Sequence, residues 1–138
     1  MGIQKKEMKV FVQGLWHSGC VTSACLSSLN HNVIAYDNDG KLVDKLKKNI
    51  TPIYEPGLNN LIKIGEKKNK LIFTNNQKKI NSAQVIWFTY DTPVNDNDQA
   101  NVNDVVQKIK DTLKKLKPNK SVIISSQLPV GTTKSLEI

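Results

Sequence analysis

The chain has 138 residues, of which 38% are hydrophobic, with seven glycines and five prolines; this suits one globular domain with a single core. No apolar run approaches the roughly 20 residues that cross a bilayer, and MGIQKKEMKV has charges where a secretory signal is apolar, so the chain reads as cytoplasmic with no membrane partner. The net charge is +8, yet all 20 basic residues are lysine. Without arginine for bidentate base contacts, and with Lys41, Lys45, Lys48, Lys108, Lys114 and Lys115 on the polar faces of expected helices, the charge reads as a solvated surface and not as a nucleic-acid site.

The regular pattern begins at Met8, which leaves residues 1–7 as a tag or a disordered N-terminus. The first expected strand covers residues 8–13 (MKVFVQ) and runs into GLWHSG. A helix follows over 18–29, with Val21, Ala24, Cys25 and Leu29 on its apolar face. Cys20 and Cys25 lie five apart on that helix, too far for a disulfide and on different faces for a metal, and both read as packing residues in a reducing compartment. His31, in the LNHN that ends the helix, reads as a turn residue.

A second strand at 32–36 (NVIAY) leads to a helix over 40–49 with Leu42, Val43 and Leu46 inward, and a further helix is expected over 58–67. Glu55-Pro56-Gly57 just before it forms the turn that starts the helix, with Glu55 near the positive end. Strands then follow at 71–74 (LIFT) and 84–90 (QVIWFTY), with Trp87 and Phe88 as core. The one long irregular stretch, DTPVNDNDQAN, precedes a helix over 101–116 whose apolar face is Val102, Val105, Val106, Ile109, Leu113 and Leu116. The last strand is 121–125 (SVIIS), and TTKSLE opens another helix, so the chain reads as the N-terminal part of something longer. Strands that alternate with helices and are apolar on both faces predict an α/β fold with a doubly wound parallel sheet in the order 3-2-1-4-5. Its ligand crevice is expected where the first and fourth strands meet.

The turn after the first strand carries the chemistry. A strand that delivers a glycine-rich turn to a helix N-terminus offers free backbone N–H groups and the positive helix end to a pyrophosphate. Gly14 and Gly19 are the first and last glycines of that pattern, and Ser18 contributes a further N–H. Asp37 ends the second strand 23 residues after Gly14, where a carboxylate accepts from the adenosine ribose hydroxyls and repels a 2′-phosphate. NAD is therefore favoured over NADP. Trp16 stands where the middle glycine belongs, and its indole must either swing aside or stack over the cofactor. His17 is read either as a donor to a phosphate oxygen or as a solvent-exposed turn residue. No metal-ligand set is expected.

Three further motifs join the turn: TPIYEPGLNNLI at 51–62, YDTP at 90–93 and SSQLPVGTT at 125–133. Together they resemble the N-terminal domain of the UDP-glucose/GDP-mannose dehydrogenase family, whose members read G-x-G-Y-V-G, Y-E-P-G-L, V-x-T-P and S-T-V-P-V-G-T at those places. The resemblance runs from Met8 to the chain end and implies a single Rossmann-like domain over 8–138, truncated before central and C-terminal domains. It also implies NAD as cofactor and oxidation of a nucleotide-sugar C6 alcohol to a carboxylate in two hydride transfers, through a thiohemiacetal and thioester on a cysteine of a later domain. Carried over to this sequence, the roles are pyrophosphate binding for the turn from Gly14 to Gly19, ribose binding for Asp37, and a place beside the nicotinamide half for Thr92, Ser126 and Gln127. No catalytic residue is assigned within this chain. The implied partners are a nucleotide-sugar substrate held through the absent domains and a homodimer of the full-length protein.

Gln127 replaces the threonine of S-T-V-P, Leu42 replaces a basic residue that contacts the ribose in relatives, and Asp91 replaces a small or neutral residue. Two other readings stay open on the sequence: another NAD-dependent oxidoreductase of the same fold, such as a hydroxyacid dehydrogenase, and a non-catalytic nucleotide-binding module.

Overall fold

The computed structural model describes residues 5–92, 96–97 and 101–137. In chain order the elements are β1 (Lys9–Gln13), α1 (His17–Ser28), β2 (Asn32–Tyr36), α2 (Gly40–Lys47), α3 (Leu58–Lys67), β3 (Leu71–Thr74), a 3-10 helix (Gln77–Ser82), β4 (Val85–Phe88), α4 (Val102–Leu113), β5 (Ser121–Ile124) and α5 (Thr132–Ser135). The sheet has the order β3-β2-β1-β4-β5, and every neighbouring pair is parallel. This is the doubly wound arrangement expected from the sequence, with the chain reversing its direction of travel between β1 and β4.

Strand periodicity divides the core into two layers. Val10 and Val12 of β1, Val33 and Ala35 of β2, and Leu71 and Phe73 of β3 pack with Cys20 and Ala24 of α1, Val43 and Leu46 of α2, and Leu58 and Ile62 of α3. The alternate residues Phe11, Ile34, Tyr36, Ile86 and Phe88 face the 3-10 helix, through Ile80, and α4, through Val105 and Ile109. Phe11 and Tyr36 stack with ring centroids 5.4 Å apart.

Expectations for α1, Cys25, Trp87 and β5 need correction. The buried face of α1 is Gly19, Cys20, Ser23, Ala24 and Ser27; Ala24 is buried and Val21 packs partly against the core as expected, but Cys25 and Leu29 are exposed. This helix lies so close to its neighbours that only small side chains fit: a Cβ on Gly65 of α3 would stand 2.6 Å from Ser27 Oγ. Cys25 is consequently no packing residue, although both thiols are free. On the strands, Trp87 is only half-buried and donates its indole N–H to Ser125 Oγ at 3.1 Å. The strand read as doubly covered, β5, is an edge strand with Val122 and Ile123 exposed. The cause is shared, because Trp87 sits opposite Ile123 in the register at this edge.

His31 does more than turn the chain, since its Nδ1 accepts the Met8 N–H at 3.1 Å. Glu7, read from sequence as part of a tag or disordered end, pairs with Lys70 at 3.0 Å and accepts from Asn32. Part of the DTPVNDNDQAN stretch, including Pro93, lies outside the described residues.

Candidate nucleotide-binding site

β1 ends at Gln13, and the backbone then turns at Gly14 with φ +103°, a conformation that disfavours a side chain. The Gly14 N–H donates to the Tyr36 carbonyl at 3.0 Å, and the Gly14 carbonyl accepts from Thr89 Oγ1 at 2.7 Å. Thr89 is buried just beyond β4, and its hydroxyl also donates to Gln13 O at 3.2 Å. Sequence reading missed this residue, which fixes the turn's carbonyl toward the sheet and so leaves the opposite side of the turn to the helix N–H groups.

Gly19 is needed for a different reason. A Cβ there would lie 1.8 Å from Gly14 O, so the last glycine lets α1 begin against the turn itself. At the middle position Trp16 is extended, with φ −75° and ψ −151°, so it does not occupy the left-handed region that favours glycine. Its indole lies at the cleft and is 48% exposed. As the N-cap of α1, Trp16 supplies no side-chain acceptor, and the first turn contains no acid. The positive end of the helix is thus left without an anionic partner from this segment, as a phosphate site requires.

Asp37 follows β2 and reaches back to the turn. Its Oδ2 accepts the Leu15 N–H at 2.8 Å, and its Oδ1 accepts the Asp39 N–H at 2.9 Å. Asp39 caps α2 through its Oδ1, which takes the N–H groups of Lys41 and Leu42 at 3.0 and 3.2 Å. The carboxylate of Asp37 therefore braces the turn after β1 in addition to facing the cleft, and a carboxylate's remaining lone pairs suffice for further hydroxyl donors.

The cleft has a volume of about 860 Å³ and opens at the C-terminal ends of the strands. One wall comes from the turn and α2, with Gly14, Leu15, Trp16, Asp37, Lys41, Leu42 and Lys45; Ile50, Thr51 and Pro52 continue it. The other comes from Tyr90, Asp91, Asp104, Val105 and Lys108. Lys41, Lys45 and Lys108, which the sequence assigned to a solvated surface, thus line the cleft.

Tyr90 is held by a polar chain, buried at Gln13 and Thr112 and reaching the surface at Lys115, that the sequence did not reveal. Gln13 Nε2 donates to Tyr90 Oη and to Thr112 Oγ1, both at 2.8 Å; Gln77 Nε2 donates to Thr112 Oγ1 at 3.0 Å, and Lys115 Nζ donates to Gln77 Oε1 at 2.9 Å. Its ring abuts Gly14, where an added Cβ would stand 2.8 Å from Cδ1. Burial raises the Tyr90 hydroxyl far above the ordinary range, so it stays protonated.

Of the residues singled out from sequence, Gly14, Trp16 and Asp37 meet on the cleft, and Ser18 and Gly19 lie in the first turn of α1. His17 turns aside: its Nε2 lies 3.4 Å from Glu55 Oε2, and its Nδ1 is buried without a hydrogen-bond partner among the described residues. Thr92 and Gln127 are joined across the ends of β4 and β5 by Thr92 Oγ1 donating to the Gln127 carbonyl at 2.9 Å. The Ser126 hydroxyl is buried and unpartnered among the described residues, a donor left for something else to use.

A family model described as the UDP-glucose/GDP-mannose dehydrogenase family, NAD binding domain, matches residues 8–138. The chain belongs to this family and is its NAD-binding domain. Among curated relatives, UDP-glucose 6-dehydrogenase YwqF of Bacillus subtilis is 32% identical over 126 residues, which are 91% of this chain and 29% of the relative. The UDP-glucose 6-dehydrogenase of Rhizobium meliloti is 29% identical over 94% of this chain and 30% of its own length. The chain thus spans about 30% of the length of these relatives.

Solved structures share the fold of this NAD-binding domain. A UDP-D-ManNAc dehydrogenase from Pyrococcus horikoshii superposes with a TM-score of 0.84 at 24% identity, covering 94% of this chain and 31% of that one. GDP-mannose dehydrogenase from Pseudomonas aeruginosa, solved as a ternary complex, gives 0.82 at 24% identity, with coverages of 94% and 30%. A lactate dehydrogenase from Cryptosporidium parvum, with bound lactic acid and nicotinamide adenine dinucleotide, scores 0.60 at 16% identity over 88% of this chain and 38% of that one. The hydroxyacid-dehydrogenase alternative therefore has a likeness of fold, while the family match favours nucleotide-sugar dehydrogenases.

Proposed function

We propose that this domain holds NAD for a cytoplasmic nucleotide-sugar 6-dehydrogenase whose full-length protein oxidises a sugar C6 alcohol to a uronate. The observation that carries the reading is the junction at Asp37, where one carboxylate both ties down the turn at Leu15 and faces the cleft. One NAD bound there would accept the hydride from the alcohol carbon, and a second NAD, bound after NADH leaves, would accept the hydride released at the aldehyde level. The chain's own groups bind and orient: N–H groups of the first turn of α1 take the pyrophosphate, and Asp37 accepts from the ribose hydroxyls. Thr92, Ser126 and Gln127 lie on the nicotinamide side, where the unpartnered Ser126 hydroxyl fits a polar neighbour. Neither thiol serves as the nucleophile, because Cys20 is buried in the core and Cys25 is exposed away from the cleft lining. The domain alone is accordingly inactive, and the nucleotide sugar, like dimer formation, depends on the remaining domains.

Titrating the full-length protein with NAD and NADP tests the assignment. NAD binds, NADP binds at least tenfold more weakly because Asp37 opposes the 2′-phosphate, and NADH accumulates with a nucleotide sugar. Absence of NAD binding together with absence of NADH formation from every UDP- and GDP-hexose tried refutes the proposal and leaves the non-catalytic module.

A further inference from the structure

We infer that Lys108 of α4 is a ligand of the cofactor's diphosphate, an inference that rests on the reading of the cleft as an NAD site. The diphosphate bridge brings two negative charges into a cleft already lined by Asp37, Asp39, Asp91 and Asp104. Positive charge close by offsets those carboxylates and adds to what the helix N–H groups supply. Lys41 and Lys45 provide it on the α2 wall; on the wall built by Tyr90, Asp91 and α4, Lys108 is the cation among the described lining residues.

The geometry places that cation next to the turn. Tyr90 abuts Gly14 at the ring edge, and Lys108 Nζ stands 5.4 Å from the centroid of the same ring. One aromatic ring therefore separates the ammonium from the first glycine of the phosphate turn. That ring does not wander, because its hydroxyl is fixed by Gln13, which is itself fixed by Thr112 on α4. A cation over a tyrosine face is held in place without losing its charge.

Asp104 completes the device. Its Oδ2 lies 3.0 Å from Lys108 Nζ, one helical turn away on α4, with both side chains close to half exposed. A pair of this kind is weak because water screens it, so the ammonium can turn from Asp104 to a diphosphate oxygen at small cost. Asp104 orients Lys108 in the absence of nucleotide and competes with the diphosphate for it when nucleotide arrives.

The test is calorimetry of the full-length protein with NAD, ADP and adenosine, on wild type, K108M, K108R and D104N. K108M weakens NAD and ADP about tenfold and leaves adenosine unchanged, as expected for a lost charge-assisted hydrogen bond at a partly screened site. It also flattens the dependence of log Kd for NAD on log salt. K108R restores most of the affinity, and D104N tightens NAD and ADP about twofold by removing the competitor. The inference is overturned if K108M leaves NAD within twofold of wild type, if it weakens adenosine as much as ADP, or if D104N weakens NAD as K108M does. A wild-type protein that binds no NAD overturns the NAD reading itself, and this inference with it.

Discussion

Replacing Gly19 by alanine probes the phosphate turn where it has least room. The added Cβ would lie 1.8 Å from Gly14 O, 2.8 Å from the Gly14 carbonyl carbon and 2.9 Å from Thr89 Oγ1. The first two are backbone atoms, and they cannot yield: the carbonyl is tied to Thr89 Oγ1 at 2.7 Å and the Gly14 N–H to Tyr36 O at 3.0 Å. Relief must come from α1 moving away from the sheet by more than an ångström, which loosens the packing of Cys20 and Ala24 against Val12 and Leu15. Overpacking of this kind costs about 3 kcal/mol, the upper end of its usual range, because the clash is with fixed backbone. In a domain of this size that lowers Tm by about 10 °C. On the proposed reading, the same movement carries the first-turn N–H groups off the diphosphate, and NAD affinity falls at least tenfold. Gly57 is the control: its φ is +84° with nothing within 4 Å of an added Cβ, so Gly57→Ala costs about 1 kcal/mol of left-handed strain and leaves NAD binding alone. Thermal scans and NAD titrations of both variants decide the matter. A Gly19→Ala protein as stable as Gly57→Ala, with unaltered NAD affinity, refutes the account of the turn.

Asp37→Ala should weaken NAD by about 1–3 kcal/mol through the ribose and also lower Tm, because Leu15 and Asp39 N–H lose their acceptor; calorimetry and melting of the variant separate the two, and unchanged affinity removes Asp37 from the site. NAD should quench the fluorescence of Trp16 more than that of Trp87, read by difference against Trp16→Phe; with φ already at −75°, Trp16→Gly should change affinity only through loss of ring contact. Iodoacetamide at pH 8 should label the exposed Cys25 and spare Cys20, as peptide mass spectrometry of the native protein will show; labelling of Cys20 before unfolding contradicts its burial. Burial lifts the Cys20 thiol from 9.0 to about 12, so the folded state holds that proton more tightly than the unfolded chain. Its contribution is whole below pH 9 and is lost as pH rises toward about 12. Urea midpoints between pH 8 and 10.5 should fall more steeply in wild type than in Cys20→Ala.

The sequence by itself determined the order of strands and helices and the two glycines that bound the turn after β1, because those follow from local periodicity and from residues that act through their own backbone. Val10 and Val12 alternate with Phe11 at a period of two, which assigns them to opposite faces before any partner is known. Gly14 and Gly19 are legible for a related reason, since a required glycine is recognised by what it lacks. Asp37 is legible as a cleft residue from its place at the end of β2, but the bond to Leu15 N–H, which spans 22 residues, is not.

Everything that depends on approach between distant segments was left to the tertiary structure. The small face of α1 carries no hydrophobic stripe, because closeness to the sheet and α3 selects for size and not for hydrophobicity. Thr89, Gln13 and Tyr90 read as ordinary strand residues until the sheet register sets β4 beside β1 and α4 over both. Lys108 reads as one lysine among 20; only the fold sets it over the Tyr90 ring at the edge of the turn. Charge and polarity along a chain state what a side chain can do, and its partner is decided by which backbone the packing brings within reach.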